Sequence, residues 1–101
     1  MGVNCFLEDE DGNTLDQFLD PKRILPKLIR LSQEGYWFIK YIDPYGDTVF
    51  NQLQLPPLIN ELKLLELTIT VKEHLEFLRQ LINFINNSQN KIHCYIKFYG
   101  D

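Results

Sequence analysis

No stretch of this 101-residue chain approaches the roughly 20 apolar residues that cross a bilayer, so a membrane-spanning role is not expected. The first residues lack the basic segment and apolar run of a secretion signal, and Phe6 stands where the myristoylation pattern needs Ser or Thr. A soluble, cytoplasmic protein is the expectation. Cysteine is scarce: Cys5 and Cys94 are the two, each inside a strand-like run, which favours reduced core residues over a disulfide. Positive charge is also short, with 10 Lys and Arg against 14 Asp and Glu and a net charge of -4. That balance argues against a general nucleic-acid binder, which needs a surplus of cations to neutralise phosphates. There is no Walker loop, no GxGxxG, no GxSxG, and neither His74 nor His93 has a second ligand at metal spacing. Nucleotide and acyl-transfer chemistry therefore have no support, and no catalytic residue, metal ligand or cofactor is assigned.

What is present is apolar and aromatic surface, 45% and 13% of the residues, enough for one core and a single domain over residues 1–101. Val3 to Leu7 reads as a strand, ended by the acidic run Glu8 to Asp11 and the turn residues Gly12-Asn13, with Thr14 to Leu19 as its possible hairpin partner. Asp20-Pro21 reads as the start of a helix carrying Ile24, Leu25, Leu28, Ile29 and Leu31, interrupted by Pro26. Tyr36 to Ile42 holds six aromatic or β-branched residues in seven and predicts a mostly buried strand that includes Trp37. Thr48 to Leu55 is left open, and Pro56-Pro57 precedes a helical pattern of Leu58, Ile59, Leu62 and Leu65. Thr70-Val71-Lys72-Glu73 fits a capping box opening the clearest helix of the chain. Lys91 to Phe98 alternates as a last strand, with Ile92, Cys94, Ile96 and Phe98 on one face. The order β(β)αβααβ predicts an α+β two-layer sandwich, a small mixed sheet of three to four strands with about three helices.

Charge is segregated along this order. Residues 1–20 hold six acids and no Lys or Arg, whereas residues 21–40 hold Lys22, Arg23, Lys27, Arg30 and Lys40 against Glu34 alone. Arg23, Lys27 and Arg30 have i, i+4, i+7 spacing and share one helix face. The tripeptide Tyr-Gly-Asp occurs twice, at 45–47 and 99–101, each time after a strand-like run. A glycine free to take positive φ followed by a carboxylate is a way of presenting an acid at a sheet edge, and Asp101 would add a terminal carboxylate. Parallel strands would bring the two tripeptides and the Glu8 to Asp11 run together; antiparallel strands would separate them. Such a cluster could bind a hard cation, although Gly12 falls before Asn13 in Asp9-x-Asp11-x-Asn13 and the EF-hand loop is not matched. An Asp43 and Asp47 pair could serve acid–base chemistry, but nothing nearby supplies a nucleophile. Recognition of a basic partner is the third use, since carboxylates steer a cationic surface and Tyr adds contact area at low entropy cost.

The segments Leu7-Glu8-Asp9-Glu10, Asp43 to Thr48 with Phe50-Asn51 and Leu53-Gln54, and Tyr95 to Asp101 together resemble a family of short uncharacterised bacterial proteins. The resemblance implies a bacterial origin, a shared fold and a functional or structural unit over Asp43 to Gln54. It implies no activity. The expected partner-binding set is Glu8, Asp9, Glu10, Asp11, Asp43, Tyr45, Asp47, Asn51, Gln54, Tyr99 and Asp101. The expectation is a non-enzymatic interaction protein of immunity or antitoxin type that inhibits a basic protein partner. The alternatives are a small ligand-binding or catalytic domain using the Asp43 to Asp47 turn, and a regulatory homo-oligomer.

Overall fold

The computed structural model describes residues 2–32 and 35–100; Glu34 and Asp101 lie outside them. The element order is β1 (Val3–Asp9), β2 (Thr14–Phe18), α1 (Ile24–Leu31), a single 3₁₀ turn (Ile39–Tyr41), β3 (Asp47–Phe50), α2 (Leu55–Glu66), α3 (Lys72–Ser88) and β4 (Cys94–Gly100). The expected α+β architecture is present, with four strands in the order β2-β1-β4-β3. Every pairing is antiparallel, so this sheet has no parallel pair.

Alternation along the strands decides which face the helices cover. Val3, Cys5 and Leu7 of β1 lie opposite Gly100, Phe98 and Ile96 of β4, and Phe50 of β3 lies opposite Ile96. Apart from Gly100, all of these residues are buried. They pack with Leu25 and Leu28 of α1, Leu58 and Leu62 of α2, and Leu78 and Leu81 of α3 in one core. Phe18 of β2 joins this face through contacts with Phe77 and Phe84 of α3 at 5.3 and 5.9 Å between ring centroids. The residues between these positions, Asn4, Phe6 and Glu8 on β1 and Tyr95, Lys97 and Tyr99 on β4, point to the other face, over which no helix lies among the described residues.

Three local departures from expectation have identifiable causes. Residues 36–42 form no strand. The buried carboxylate of Glu61 on α2 accepts the amides of Trp37 (2.7 Å), Phe38 (2.9 Å) and Ile39 (3.0 Å), winding the segment into the 3₁₀ turn. Trp37 consequently lies outside the core, 66% exposed, with the Lys40 ammonium 4.7 Å from its ring. The Thr70 capping box does not form: α3 begins after Val71 without a side-chain cap, and Glu73 pairs with Lys22 at 2.9 Å. Ile92 is exposed because β4 starts only at Cys94, after His93 takes a left-handed φ of 61°.

The start of α1 is built by a short polar side chain. Asp20 is buried and its carboxylate accepts the amides of Ile24 (2.7 Å) and Leu25 (2.9 Å), so it caps α1 across the Pro21–Arg23 turn. Pro26 falls in the first turn, where no intrahelical donor is required, and leaves the helix unbroken. Cys5 and Cys94 are both free and buried, and the register sets them four positions apart on neighbouring strands, Cys5 opposite Phe98 and Cys94 opposite Asp9.

Candidate functional site

The two Tyr-Gly-Asp segments meet although their strands are antiparallel. The first precedes β3 and the second closes β4, so antiparallel pairing sets both at the same end of the sheet, where Asp47 lies opposite Tyr99. The Gly100 amide donates to the Gly46 carbonyl at 2.8 Å. Neither glycine has a positive φ; those are Gly12 and Gly35. Their requirement is closeness instead. A Cβ on Gly100 would collide with the backbone of Pro44 and Asp43, and one on Gly46 would meet the Asp43 carboxylate at 2.7 Å. Asp43 completes the lock by accepting the Tyr45 amide at 2.8 Å, while Thr48 Oγ1 accepts the Asp43 amide at 2.9 Å.

Of the Glu8 to Asp11 run, Asp9 to Asp11 lie at the opposite end of β1, six residue steps from Val3 to Asp9 or about 20 Å at the usual strand rise, and only Glu8 reaches back to Tyr99. Its acids are mostly engaged with their own chain. Asp9 accepts the amides of Asp11 (3.0 Å) and Asn13 (2.9 Å) and the Asn13 side chain (3.2 Å). Those bonds, the Asn13 amide first, hold its carboxyl below the usual value. Glu10 pairs with His93 Nδ1 at 2.8 Å, and Asp11 is exposed. Asn51 and Gln54 bond each other's backbone, the Gln54 amide to Asn51 Oδ1 at 3.1 Å and the Asn51 amide to Gln54 Oε1 at 2.9 Å. They form a capping box on the approach to α2. Apart from Glu8, the acids therefore make two groups at opposite ends of the sheet.

Three of the expected residues do come together, on the uncovered face. Tyr99 leans over Phe6, edge to face at 5.0 Å, and its hydroxyl donates to Glu8 at 2.6 Å. Lys97 lies 4.4 Å from the Tyr99 ring centroid and 3.8 Å from the Asp47 carboxylate. Tyr99 foremost, then the charges of Glu8 and Asp47, hold the Lys97 ammonium above its usual value. Around this chain Tyr95 and Val49 remain exposed, opposite Glu8 and Lys97 in the register. The result is an aromatic face crossed by one polar network and flanked by acids at both ends. Alternation marks Tyr95, Lys97 and Tyr99 as sharing a face; the inclusion of Phe6, Glu8 and Asp47 depends on register, which no local pattern encodes.

Catalytic geometry is not assembled here. Glu10, His93 and Cys94 have the composition of a triad, yet Cys94 Sγ donates to the Ile92 carbonyl at 3.4 Å, and activation would need that proton to face a base. Among the described residues, no group of three His, Cys, Asp or Glu is placed to hold a metal ion. No family model matches the chain, and neither curated proteins nor solved structures provide a match.

Proposed function

We propose that the protein is a non-enzymatic interaction module whose uncovered sheet face receives a basic protein partner, in the manner of an immunity or antitoxin-type inhibitor. The observation that carries this reading is the aromatic face of Phe6, Tyr95, Tyr99 and Val49, uncovered by any helix among the described residues. Aromatic side chains are favoured anchors at the centre of protein interfaces. The acids supply the rim: Glu10 and Asp11 beyond one end of the face and Asp43 and Asp47 at the other, matching a partner with basic residues around an apolar centre. The expected bacterial origin accompanies this reading.

Affinity purification from the native cell, followed by reconstitution from the purified components, tests it. The expected result is a stoichiometric basic protein retained by the wild-type chain and weakened by salt. Val49→Asp and Tyr95→Ala each reduce its affinity at least tenfold without changing the circular dichroism spectrum. A chain recovered alone, a chain recovered as a homodimer through this face, or a partner held equally by both variants overturns the reading.

A further inference from the structure

We propose that a second site, on the helical side of the molecule, binds the phosphate group of a small phosphate monoester. Lys27 and Arg30 lie on the exposed side of α1, Arg23 stands just before its first residue, and Pro26, buried like Ile24, Leu25, Leu28 and Ile29, forms the floor between them. The first Tyr-Gly-Asp turn folds against this side. Pro44 and Tyr45 close it into a cleft of about 390 Å³ lined by these six residues.

Three cations converge here in a chain whose net charge is -4. Among the described residues none of the three makes an ion pair. Of the described acids on the segments that line the cleft, Asp20 is directed to the amides of Ile24 and Leu25 and Asp43 to that of Tyr45; Glu34, four residues after Arg30, lies outside the described residues. Glu73, within the field of Lys27, is hydrogen-bonded by Lys22. Arg23 itself holds a left-handed φ of 58°, at the start of the helix, a conformation uncommon for a side chain of this size.

The ligand class follows from charge, shape and volume. Two guanidinium forks and an ammonium match the charge and the several acceptor oxygens of a phosphate dianion. The volume exceeds what one inorganic ion fills and falls at the lower end of small-molecule sites, roughly 300–1,000 Å³. Pro44 and the Tyr45 ring, 69% exposed, offer an apolar wall over the buried Pro26 to the organic part of an ester. A polyanion such as nucleic acid is disfavoured, because its binding requires cations over an extended surface and the rest of this one is acidic. The second Tyr-Gly-Asp segment acts as a positioning element: Gly100 packs on Pro44 and fixes the wall that carries Tyr45.

Titration of the isotope-labelled full chain, followed by amide chemical shifts, tests the site with inorganic phosphate, ribose 5-phosphate, adenosine 5′-monophosphate and ribose as probes. Both esters are expected to shift Lys27, Arg30 and Tyr45, inorganic phosphate to shift the same amides at higher concentration, and ribose to shift none. Arg23→Gln and Arg30→Gln each weaken the esters about tenfold, the loss of a charge-assisted hydrogen bond. Tyr45→Ala weakens the esters and leaves inorganic phosphate unchanged. Lys63→Gln, outside the cleft, changes nothing. Shifts that scatter over Lys63 and Arg79, or esters bound equally by the wild type and both arginine variants, overturn the proposal. So does a chain that no phosphate probe shifts. Because the sheet-face variants leave this cleft intact, failure here is distinguishable from failure of the partner-binding reading.

Discussion

Gly12 and Gly100 are the same residue type held for different physical reasons. Gly12 takes a φ of 84° in the β1–β2 turn with open space around its Cα, so a side chain there meets backbone strain and no collision. Gly100 has no positive φ, but a Cβ would strike Pro44, a backbone segment held by its own hydrogen bonds. Gly12→Ala is therefore expected to cost about 1 kcal/mol. Gly100→Ala should cost about 2–3 kcal/mol, as overpacking does, and also shift the amides of Pro44's neighbours. Urea unfolding of both variants, with chemical shifts of residues 43–47, separates the two effects. Equal losses with unchanged shifts in the turn would contradict the close-packing role of Gly100.

At the scale of elements, the strands and helices readable from the sequence were those specified by their own residues. The β1 and β4 alternation and the α3 stripe needed only local periodicity, and the order β(β)αβααβ holds with its middle strand at Asp47–Phe50, largely in the span left open, instead of at Tyr36 to Ile42. The failures involve partners distant in sequence. Tyr36 to Ile42 has strand composition, yet three of its amides are claimed by Glu61, more than 20 positions away. The meeting of the two Tyr-Gly-Asp segments was likewise hidden, because it depends on the first one preceding its strand. The cleft beside Arg23, Lys27 and Arg30 requires a turn delivered from outside their helix, so spacing revealed the cations without the wall. Cap chemistry divides in the same way, since Asn51 and Gln54 form the box that Thr70 and Glu73 do not. Asn51→Ala is expected to lower stability by about 1 kcal/mol. Thr70→Ala should remain within about 0.5 kcal/mol of wild type, as for a surface position without a special contact. Thermal denaturation of the pair checks the contrast, and a larger loss at Thr70 would reverse the assignment.

For the molecule as a whole, the two thiols report on the centre of the sheet, because Cys5 lies on β1 and Cys94 on β4. Burial pushes the Cys5 thiol well above its usual range. In the unfolded chain it ionises near pH 8.5, while in the folded chain it stays protonated. The folded state therefore holds the extra proton, and this contribution to stability is present below about pH 8.5 and is lost as pH rises further. Cys5→Ala is expected to flatten the alkaline limb of the stability curve, despite its cost in packing. In native buffer, labelling of Cys5 should proceed only at the rate of global opening. Rapid modification of Cys5 without unfolding, or an alkaline limb unchanged in Cys5→Ala, would disprove this.

The strand order β2-β1-β4-β3 also governs how such a chain reaches its native state. β4, the last element in chain order, lies between β1 and β3, so β3 has no sheet partner until β4 arrives. On a ribosome the first ninety residues can form the β1–β2 hairpin and the helices, but they cannot assemble the sheet. Productive collapse waits for the pairing of Val3–Asp9 with Cys94–Gly100, a closure spanning nearly the whole described chain. Such high contact order places folding toward the slow, millisecond-to-second end of the range for small domains. During that interval, the inner faces of β1 and β3 are exposed to chaperones and to one another.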